Sequence, residues 1–298
     1  MIIDASIKKQ IQQALKEDIG LGDITTTAAI HKDKKGDFII IAKQDCVICG
    51  LTIAESVFET VDDTIRFKPL VNEGMKVTEQ KVIAYIEGNC CSILSAERTA
   101  LNFLCWLSGI STLTDYFVEA VKGTKAQIFD TRKTLPTFRR LQKYAVKIGG
   151  AANHRMGLYD QVLIKDNHIG AFLLKPTIAK DEKDAVRKVM ENVKRCLPKG
   201  KKIEIEVSSL EMLKVALEYN PDIIMLDNMN INEIKEAVRI RDSYRIKIGD
   251  VGFKILLEVS GNVNLGNVKE IADCGVDMIS IGALTHSAPS VDISLEPR

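Results

Sequence analysis

The sequence predicts an α/β protein in which a β-rich N-terminal part precedes a parallel α/β barrel. From residue 126 onward, short strand-like runs alternate with helical stretches over about 170 residues, a pattern and length typical of such a barrel. Residues 38–88 instead hold short apolar or alternating runs between turn signals, as β-strands do. The chain has 298 residues and is 46% apolar, so it can form one large domain or two ordinary ones with a sizeable core.

Two helices and a group of strands are expected in the N-terminal part. Residues 5–18 carry isoleucine and leucine four apart, which predicts an amphipathic helix. Residues 92–108 predict a second, mostly apolar helix, on which Arg98 could be a surface residue whose alkyl stem covers apolar neighbours. The expected strands are the runs FIIIAK, CVICGL, IRFKPL and KVIAYIEG.

The cysteines indicate neither a zinc site nor a redox site. Seven are present without regular spacing, and Cys46 and Cys49 form the only CxxC motif. That motif lies in the apolar, strand-like CVICGL run and does not precede a helix, as it would in a thiol oxidoreductase. We therefore interpret these cysteines as buried, reduced thiols.

The predicted barrel strands end in residues suited to a site. In α/β barrels the C-terminal ends of the strands gather on one face and form the active site. Six runs are visible, and they end at Asp130–Lys133, Lys165–His168, Glu206–Ser208, Asp227–Asn228, Ser260–Asn262 and Gly282–Leu284. The residues expected to converge are Arg132, Lys133, Lys165, Glu206, Asp227 and Ser260.

The connections complete the predicted barrel. Helices are expected at 134–148, 181–196, 209–218, 231–243 and 264–274. Because only six strand runs are visible, the barrel is expected to be short or open. Residues 244–253 predict an irregular surface excursion, and the extended tail HSAPSVDISLEPR is expected to pair with the N-terminal β-rich region.

Charge is concentrated in one segment. Residues 130–169 carry eight Lys/Arg against three Asp, a net +5, although the whole chain carries only +1. A cationic segment inside a neutral chain favours a small polyanionic ligand over a nucleic-acid surface, and aromatic residues make up only 5% of the chain. We find no signal peptide and no apolar stretch of transmembrane length, so a soluble, cytoplasmic protein is expected.

The strand-end residues allow more than one chemistry. Cations at strand ends can bind carboxylates and phosphates, although Lys133 or Lys165 could also act as a Schiff-base amine. Glu206 and Asp227 could be mere cap or loop charges, but two carboxylates among cations better fit Mg²⁺ and sugar hydroxyls. Small residues after the last two strands resemble a phosphate site, although a glycine there is usually only a turn.

The histidines show no metal-binding spacing. His154 and His168 lack an HExxH pattern and a paired CxxC motif, which argues against zinc. Arg155 follows His154 directly, and a cationic neighbour favours the neutral imidazole. We expect a hydrogen-bonding role for His154. The helix cations Arg139, Arg140, Lys143 and Lys147 are expected to be solvated.

The segment DTRKTLPTFRRLQKYAVKIGGAANHRMGLYDQVLIKDNHI resembles the signature of the quinolinate phosphoribosyltransferase family. The resemblance extends, in order, through LKEDIGLGDITT, AERTALNFLCWLSGIST, IEIEVSSL, MLDNM, EVSGNV and DMISIGALTHSAPSVDISL, and so covers nearly the whole chain. It implies an N-terminal α/β sandwich, residues 1–110, joined by the tail 285–298. It also implies an open, seven-stranded parallel α/β barrel, residues 111–284, that carries the active site.

The resemblance also implies an activity and an assembly. The reaction converts quinolinate and phosphoribosyl pyrophosphate to nicotinate mononucleotide, pyrophosphate and CO₂, with Mg²⁺, in NAD biosynthesis. The family forms homodimers, in some members assembled further into hexamers, in which each site is completed by the neighbouring subunit. Neither nucleic acid nor a membrane is an expected partner.

Residue roles follow from the same resemblance. Arg132, His154, Arg155 and Lys165 match the quinolinate pocket, with Lys133 at its junction with phosphoribosyl pyrophosphate, and Arg98 matches the arginine donated across the dimer. Glu206 and Asp227 match the carboxylates near the ribose and Mg²⁺. The phosphate loops match Ser260, Gly261, Asn262, Gly282 and Ala283, and Thr131 and Ser280 complete the substrate-binding set. The catalytic set is Lys133, Lys165, Glu206 and Asp227.

One departure and three alternatives accompany this assignment. SGN stands where some members have SGG, which removes one glycine's freedom but no backbone donor. A related pyrophosphorylase associated with molybdenum transport would share the fold with another acceptor. A Schiff-base aldolase and a non-catalytic phosphosugar-binding protein are the remaining hypotheses.

Overall fold

The computed structural model describes residues 3–174, 179–197, 200–248 and 255–298, the side chains of 245–248 excepted. The helices are α1 (Ala5–Ile19), α2 (Ile24–Ala29), α3 (Leu51–Val61), α4 (Cys90–Ala120), α5 (Arg139–Ile148), α6 (Asp166–Leu173), α7 (Glu182–Cys196), α8 (Leu210–Glu218), α9 (Ile231–Ile248), α10 (Val268–Asp273) and α11 (Ala283–His286). The strands are β1 (Lys35–Ala42), β2 (Cys46–Val47), β3 (Arg66–Pro69), β4 (Lys76–Val77), β5 (Val82–Asn89), β6 (Gln127–Phe129), β7 (Val162–Ile164), β8 (Ile203–Val207), β9 (Ile223–Asp227), β10 (Leu256–Ser260), β11 (Met278–Ser280) and β12 (Ile293–Pro297). None of these helices is long and apolar enough to cross a membrane.

The chain forms two compact units. The first comprises the chain up to Asp115 together with Leu135–Gly150 and Ala283–Arg298, and the second comprises Tyr116–Thr134 and Ala151–Gly282. This division differs from the sequence boundaries chiefly at Leu135–Gly150, which the sequence assigned to the barrel. Long-range contacts hold this segment in the first unit: the Ser111 hydroxyl donates to the Ala145 carbonyl at 2.7 Å, and the Gln142 amide donates to the Thr285 carbonyl.

An antiparallel sheet forms the framework of the first unit. Its strand order is β12-β1-β5-β3, and the β12 strand of the tail pairs with β1 from Phe38↔Pro297 to Ala42↔Ile293. The strands β2 and β4 form a separate pair. Burial alternates along β1 only between Asp37 and Ile40, and β5 buries Ile83, Ala84 and Ile86 without strict alternation. Both strands were recognisable as apolar runs between turn signals.

The helices of the first unit include three that the sequence did not predict: α2, α3 and α11. The helix α1 buries Ile7, Ile11 and Leu15, as expected from their spacing. In contrast, only Cys46–Val47 of the CVICGL run is a strand, and α3 begins at Leu51. Gly50 turns the chain there with φ 106, and its N–H donates to the Glu73 carboxylate at 2.9 Å. The point at which the strand ends therefore depends on Glu73, which is distant from Gly50 in sequence.

A parallel sheet forms the second unit and confirms the α/β fold. Its order is β6-β11-β10-β9-β8-β7, with every pair parallel. On the other side of β6, Ala152 forms an isolated parallel bridge with Phe129. Within the described residues this parallel sheet thus has six strands, and the Ala152 bridge lies where a seventh would pair, in an open sheet.

The helices that the sequence assigned to the barrel differ from the predictions in where they begin and end, and one helix was not predicted. The helix α5 begins at Arg139 and not at residue 134, α10 is shorter than expected, and α6 was not predicted. The helix α9 continues to Ile248, so the prediction of irregular structure for 244–253 is wrong over its first half. The remainder, 249–253, lies outside the described residues.

A charged network around Asp277 lies at the N-terminal ends of three barrel strands, β6, β10 and β11. Asp277 accepts hydrogen bonds from the Leu257 N–H at 2.9 Å, from Arg241 Nη1 at 2.7 Å and from Lys125 Nζ at 2.7 Å. Burial raises the pKa of the Asp277 carboxyl, but these hydrogen bonds outweigh it and hold the pKa below its ordinary value. Arg241 is 5% exposed, so the network neutralises a buried guanidinium at the end of the sheet opposite the cavity described next.

Candidate active site

A cavity of about 480 Å³ lies in the second unit at the C-terminal ends of the barrel strands. Its walls contain all six residues that were expected to converge. The lining residues are Thr131, Arg132, Lys133, His154, Arg155, Leu163, Lys165, Asp166, Glu206, Met225, Asp227, Asn228, Glu258, Ser260 and Ser280. Convergence follows from parallel pairing: Ser260 lies in register with Asp227 on β9 and with Ser280 on β11.

The turn that precedes β7 is held by a buried carboxylate. Asp130 is 0% exposed and accepts hydrogen bonds from the His154 N–H at 2.8 Å and the Asn153 amide at 2.7 Å. The Arg155 side chain is fixed by Nη1, which donates to the Gln161 carbonyl at 3.0 Å. This turn therefore places His154 and Arg155 on the cavity wall.

Two guanidinium groups of the cavity repel each other. Arg155 is 7% exposed. Burial lowers the pKa of the Arg155 guanidinium, and the nearby charge of Arg132 lowers it further. The buried Nε of Arg155 has no hydrogen-bond partner in the part of the chain that the structure describes. Two cations held together with donor capacity to spare form a site for a ligand with more than one anionic group.

Two carboxylates lie on neighbouring strands beside Lys165. Lys165 Nζ is 3.9 Å from the Glu206 carboxylate. Burial raises the pKa of Glu206, and the nearby charge of Asp227 raises it further, whereas Lys165 lowers it. Carboxylate oxygens that repel each other at a cavity wall suit Mg²⁺, which takes one or two carboxylates together with substrate phosphates. The residues present therefore fit the metal that the sequence predicted.

A second charged cluster lies at His154. Its Nε2 is 3.1 Å from Glu204 Oε2 and 3.5 Å from Glu258 Oε2, and both carboxylates are 0% exposed. Burial lowers the pKa of His154, but the neighbouring carboxylates of Glu204 and Glu258 raise it more, above its ordinary value. The two carboxylates thus favour a second ring proton, against the effect of Arg155 that the sequence argument considered alone. The contact of Nδ1 described next instead holds the ring in the neutral form that the sequence predicted.

The position of the proton on His154 follows from its backbone contact. The Arg155 N–H donates to His154 Nδ1 at 2.8 Å, so Nδ1 carries a lone pair and the ring proton is on Nε2, between the carboxylates. A second proton on Nδ1 would break this bond. The three side chains could in principle ligate a metal, but an Nε2 that carries a proton is not a metal ligand. We therefore interpret the contact between His154 Nε2 and Glu204 as a hydrogen bond and not as part of a metal site.

Several cavity residues were missed by the sequence prediction. Glu258 lies within an apolar strand run, and Asp166 and Asn228 directly follow predicted site residues. Glu204, also within an apolar strand run, lies behind the wall beside His154. The available signal was a carboxylate inside a strand of a parallel sheet, because such strands are normally apolar throughout. In IEIEV, Glu204 and Glu206 share one face of β8, as side chains two apart on a strand do.

Four predicted phosphate-loop residues do not line the cavity. Gly282 and Ala283 lie at the start of α11, after β11. Gly261 and Asn262 follow β10 and contact Asn228: the Asn262 amide donates to Asn228 Oδ1 at 3.0 Å, and a Cβ on Gly261 would lie 2.2 Å from that oxygen. Gly261 therefore permits a close approach that the loop requires.

Arg98 and His168 lie outside the cavity wall as well. Arg98 is on α4 in the first unit, where its side chain is 64% exposed and its Nη2 is 3.9 Å from Glu97. His168 Nδ1 accepts the Lys165 N–H at 2.9 Å, so this histidine helps to begin α6.

The fold and the cavity define a class of protein. A parallel α/β sheet carries cations and carboxylates at its C-terminal strand ends, an arrangement typical of α/β-barrel enzymes that act on anionic substrates. Residues 23–108 match the model of the quinolinate phosphoribosyl transferase N-terminal domain, and residues 110–296 match that of the C-terminal domain. The chain belongs to the quinolinate phosphoribosyltransferase family.

Individual relatives agree with the family models. The chain is 44% identical over 290 residues to a probable carboxylating nicotinate-nucleotide pyrophosphorylase of Methanocaldococcus jannaschii, covering 97% of this chain and 96% of the relative. Among solved structures, the nicotinate-nucleotide pyrophosphorylase of Ehrlichia chaffeensis matches with a TM-score of 0.87 and 37% identity, over 100% of both chains. The enzyme of Francisella tularensis matches with a TM-score of 0.86 and 36% identity, over 100% of this chain and 98% of the other.

Proposed function

We propose that this protein converts quinolinate and phosphoribosyl pyrophosphate to nicotinate mononucleotide, pyrophosphate and CO₂, in NAD biosynthesis. The observation that carries the proposal is a single cavity that joins the repelling pair Arg132 and Arg155 to the carboxylates Glu206 and Asp227. The cations suit a dicarboxylate, and the carboxylates suit a ribose with its metal-bound pyrophosphate. The family and its relatives support the same reaction.

The cations bind and orient quinolinate. Arg132, Arg155 and Lys165 line one cavity, so its fork and point-charge donors can hold both carboxylates of the ring at once. His154 lines the same cavity, with its Nε2–H directed at Glu204 and its Nδ1 fixed by the Arg155 N–H. A ring held in this way presents its nitrogen to the sugar in a fixed geometry, which replaces an unfavourable encounter in solution.

A second set of cavity residues interacts with phosphoribosyl pyrophosphate. Mg²⁺ supplies charge neutralisation of the pyrophosphate when bound, and Glu206 and Asp227 would hold it. Lys133 and Lys165 stabilise charge that develops on the leaving group. Ser260 and Ser280 lie on the cavity wall, where their hydroxyls can donate to phosphate oxygens.

The reaction requires no further cofactor. The ring nitrogen bonds to ribose C1′ as the bond from C1′ to pyrophosphate breaks. The ring is then cationic, so it accepts the electron pair left at C2 when CO₂ departs, and a solvent proton replaces the carboxylate. The protein binds, orients and neutralises, and neither Lys133 nor Lys165 forms a Schiff base.

Incubation with quinolinate, phosphoribosyl pyrophosphate and Mg²⁺ tests the reaction. We expect CO₂ and nicotinate mononucleotide in equal amounts. Turnover with another acceptor but not with quinolinate would instead favour the pyrophosphorylase associated with molybdenum transport. Binding without turnover would favour a phosphosugar-binding protein, and borohydride trapping of a carbonyl substrate on a lysine would favour an aldolase.

A homodimer with shared sites accompanies the proposed activity. The exposed Arg98 is available to a second subunit, and the family resemblance assigns it to the neighbouring site of a homodimer. A cytoplasmic location is proposed with it, as expected for an enzyme whose substrates are both small phosphorylated or carboxylated metabolites.

A further inference from the structure

Glu258 is a buried carboxylate in the cavity wall that lacks hydrogen-bond partners. It lies in the middle of β10, is 0% exposed and lines the cavity. Neither of its oxygens has a hydrogen-bond partner among residues 3–174, 179–197, 200–248 and 255–298, and the approach of His154 Nε2 to Oε2 measures 3.5 Å. An uncompensated buried carboxylate opposes folding, so its presence at a cavity wall calls for an explanation.

The other carboxylates of the site are better compensated. Glu204 lies closer to His154 Nε2, at 3.1 Å, and also accepts a hydrogen bond from the Gln161 amide. The nearby positive charge of Arg155 also stabilises the ionised Glu204 carboxylate. The Glu206 carboxylate lies 3.9 Å from the ammonium Nζ of Lys165. Glu258 therefore has the least compensated charge of these three carboxylates.

The charge of Glu258 opposes the binding of both proposed substrates, because quinolinate and phosphoribosyl pyrophosphate are polyanions. Positive charge arises only during the reaction. As the bond from C1′ to pyrophosphate breaks, C1′ acquires oxocarbenium character, and the new bond from the ring nitrogen to C1′ makes the pyridine ring cationic. A group that interacts better with the transition state than with the substrates accelerates the chemical step.

We propose that Glu258 is a catalytic residue whose carboxylate stabilises the positive charge that forms on ribose C1′ and the pyridine ring. The inference rests on the proposed function and deepens it. No proton passes to or from Glu258: the nitrogen lone pair forms the new bond, pyrophosphate leaves with the electron pair of the old one, and Glu258 acts through its charge. The carboxylate lies 3.5 Å from His154 Nε2.

Glu258→Gln tests this role, because the amide has the same shape without the charge. We expect the single-turnover rate to fall on the order of tenfold to a hundredfold. The affinity for quinolinate, measured by calorimetry, should be unchanged or higher, because a like charge has been removed. The affinity for nicotinate mononucleotide, whose ring is cationic, should fall several-fold.

Glu258→Asp is the matched control, since it keeps the charge and withdraws it by one methylene. We expect it to retain more of the rate and more of the nicotinate mononucleotide affinity than Glu258→Gln. A single-turnover rate of Glu258→Gln within about twofold of wild type would overturn the inference. Equal losses of quinolinate and nicotinate mononucleotide affinity would overturn it too, because a structural defect would affect both ligands alike.

The inference and the proposed function can fail separately. Wild-type protein that does not turn over quinolinate contradicts both. Wild-type protein that is active, with Glu258→Gln equally active, contradicts only the role of Glu258. If Glu258→Gln does not fold, the comparison of Glu258→Asp with wild type decides: an unchanged ratio of nicotinate mononucleotide to quinolinate affinity and an unchanged rate would reject the proposal.

Discussion

At the scale of single residues, Asn228 links the end of one barrel strand to the loop after the next. Its amide donates to Asp227 Oδ2 at 2.8 Å, its N–H donates to the Ser260 carbonyl at 3.1 Å, and its Oδ1 accepts from Asn262. Asn262 stands where some family members have glycine, so this chain exchanges loop freedom for an additional hydrogen bond. The carboxylate of Asp227 and the β10 loop are thereby held as one unit.

Gly261→Ala should disturb this unit. The new Cβ would lie 2.2 Å from Asn228 Oδ1, at a backbone φ of +94. We expect a loss of about 2–3 kcal/mol of unfolding free energy and a higher KM for phosphoribosyl pyrophosphate. Gly123→Ala is the control, because Gly123 has φ +85 with no atom within 4 Å, and should lose only about 1 kcal/mol with KM unchanged. Equal effects in both variants would show that the contact with Asn228 is unimportant.

Arg155→Lys should separate the two substrates. Lysine keeps the charge but loses the planar fork and the bond to the Gln161 carbonyl. We expect the KM for quinolinate to rise at least about tenfold while the KM for phosphoribosyl pyrophosphate changes little. Arg239→Lys, on the exposed surface of α9, should change neither constant. A parallel rise of both KM values would argue that Arg155 acts on the fold and not on quinolinate.

At the scale of elements, the sequence identified most strands but not every boundary. The strands β1, β3 and β5 to β11 were recognisable because apolar runs and turn residues are local signals. The helix α3 was missed because CVICGL resembles a strand, and its true end depends on Glu73, which is 23 residues from Gly50. Glu258 was missed for a similar reason: its strand was interpreted as purely apolar.

Asp277→Asn should weaken the N-terminal ends of the barrel strands. The change removes one of the two carboxylates paired with Arg241, whose side chain is 6% exposed, and leaves Asp242 as the other, so we expect a loss of about 2 kcal/mol at pH 7. Because the folded-state pKa of Asp277 is lowered, its stabilisation is complete above its unfolded pKa of about 3.9 and is lost as pH falls through the folded value. The gap between variant and wild type should therefore close in acid.

Denaturant titrations at pH 7 and in acid measure that gap. Asp273→Asn is the control, because Asp273 forms an exposed i,i+4 pair with Lys269 and should change stability by less than about 0.5 kcal/mol. A loss in Asp277→Asn that persists undiminished in acid would contradict the assignment of the effect to the carboxylate charge.

At the scale of the whole molecule, the site is expected to require two chains. Mixing Arg98→Ala subunits with Lys165→Ala subunits should restore activity, because a mixed dimer has one site with both native residues. Random exchange makes half of the dimers mixed, each with one intact site of two, so roughly one quarter of wild-type activity should return. No recovery, with exchange confirmed by mass spectrometry of the native dimers, would argue for a site within one chain.

The pairing of β1 with β12 has a consequence for how the protein is made. Lys43 and Glu296, which form an ion pair beside this junction, are 253 residues apart. At a translation rate of about 5–20 residues per second, β1 waits roughly 13 to 50 s for the strand that covers its edge. An uncovered strand edge recruits other chains. A nascent chain of this protein should therefore depend on ribosome-associated chaperones during synthesis, more than its modest size would suggest.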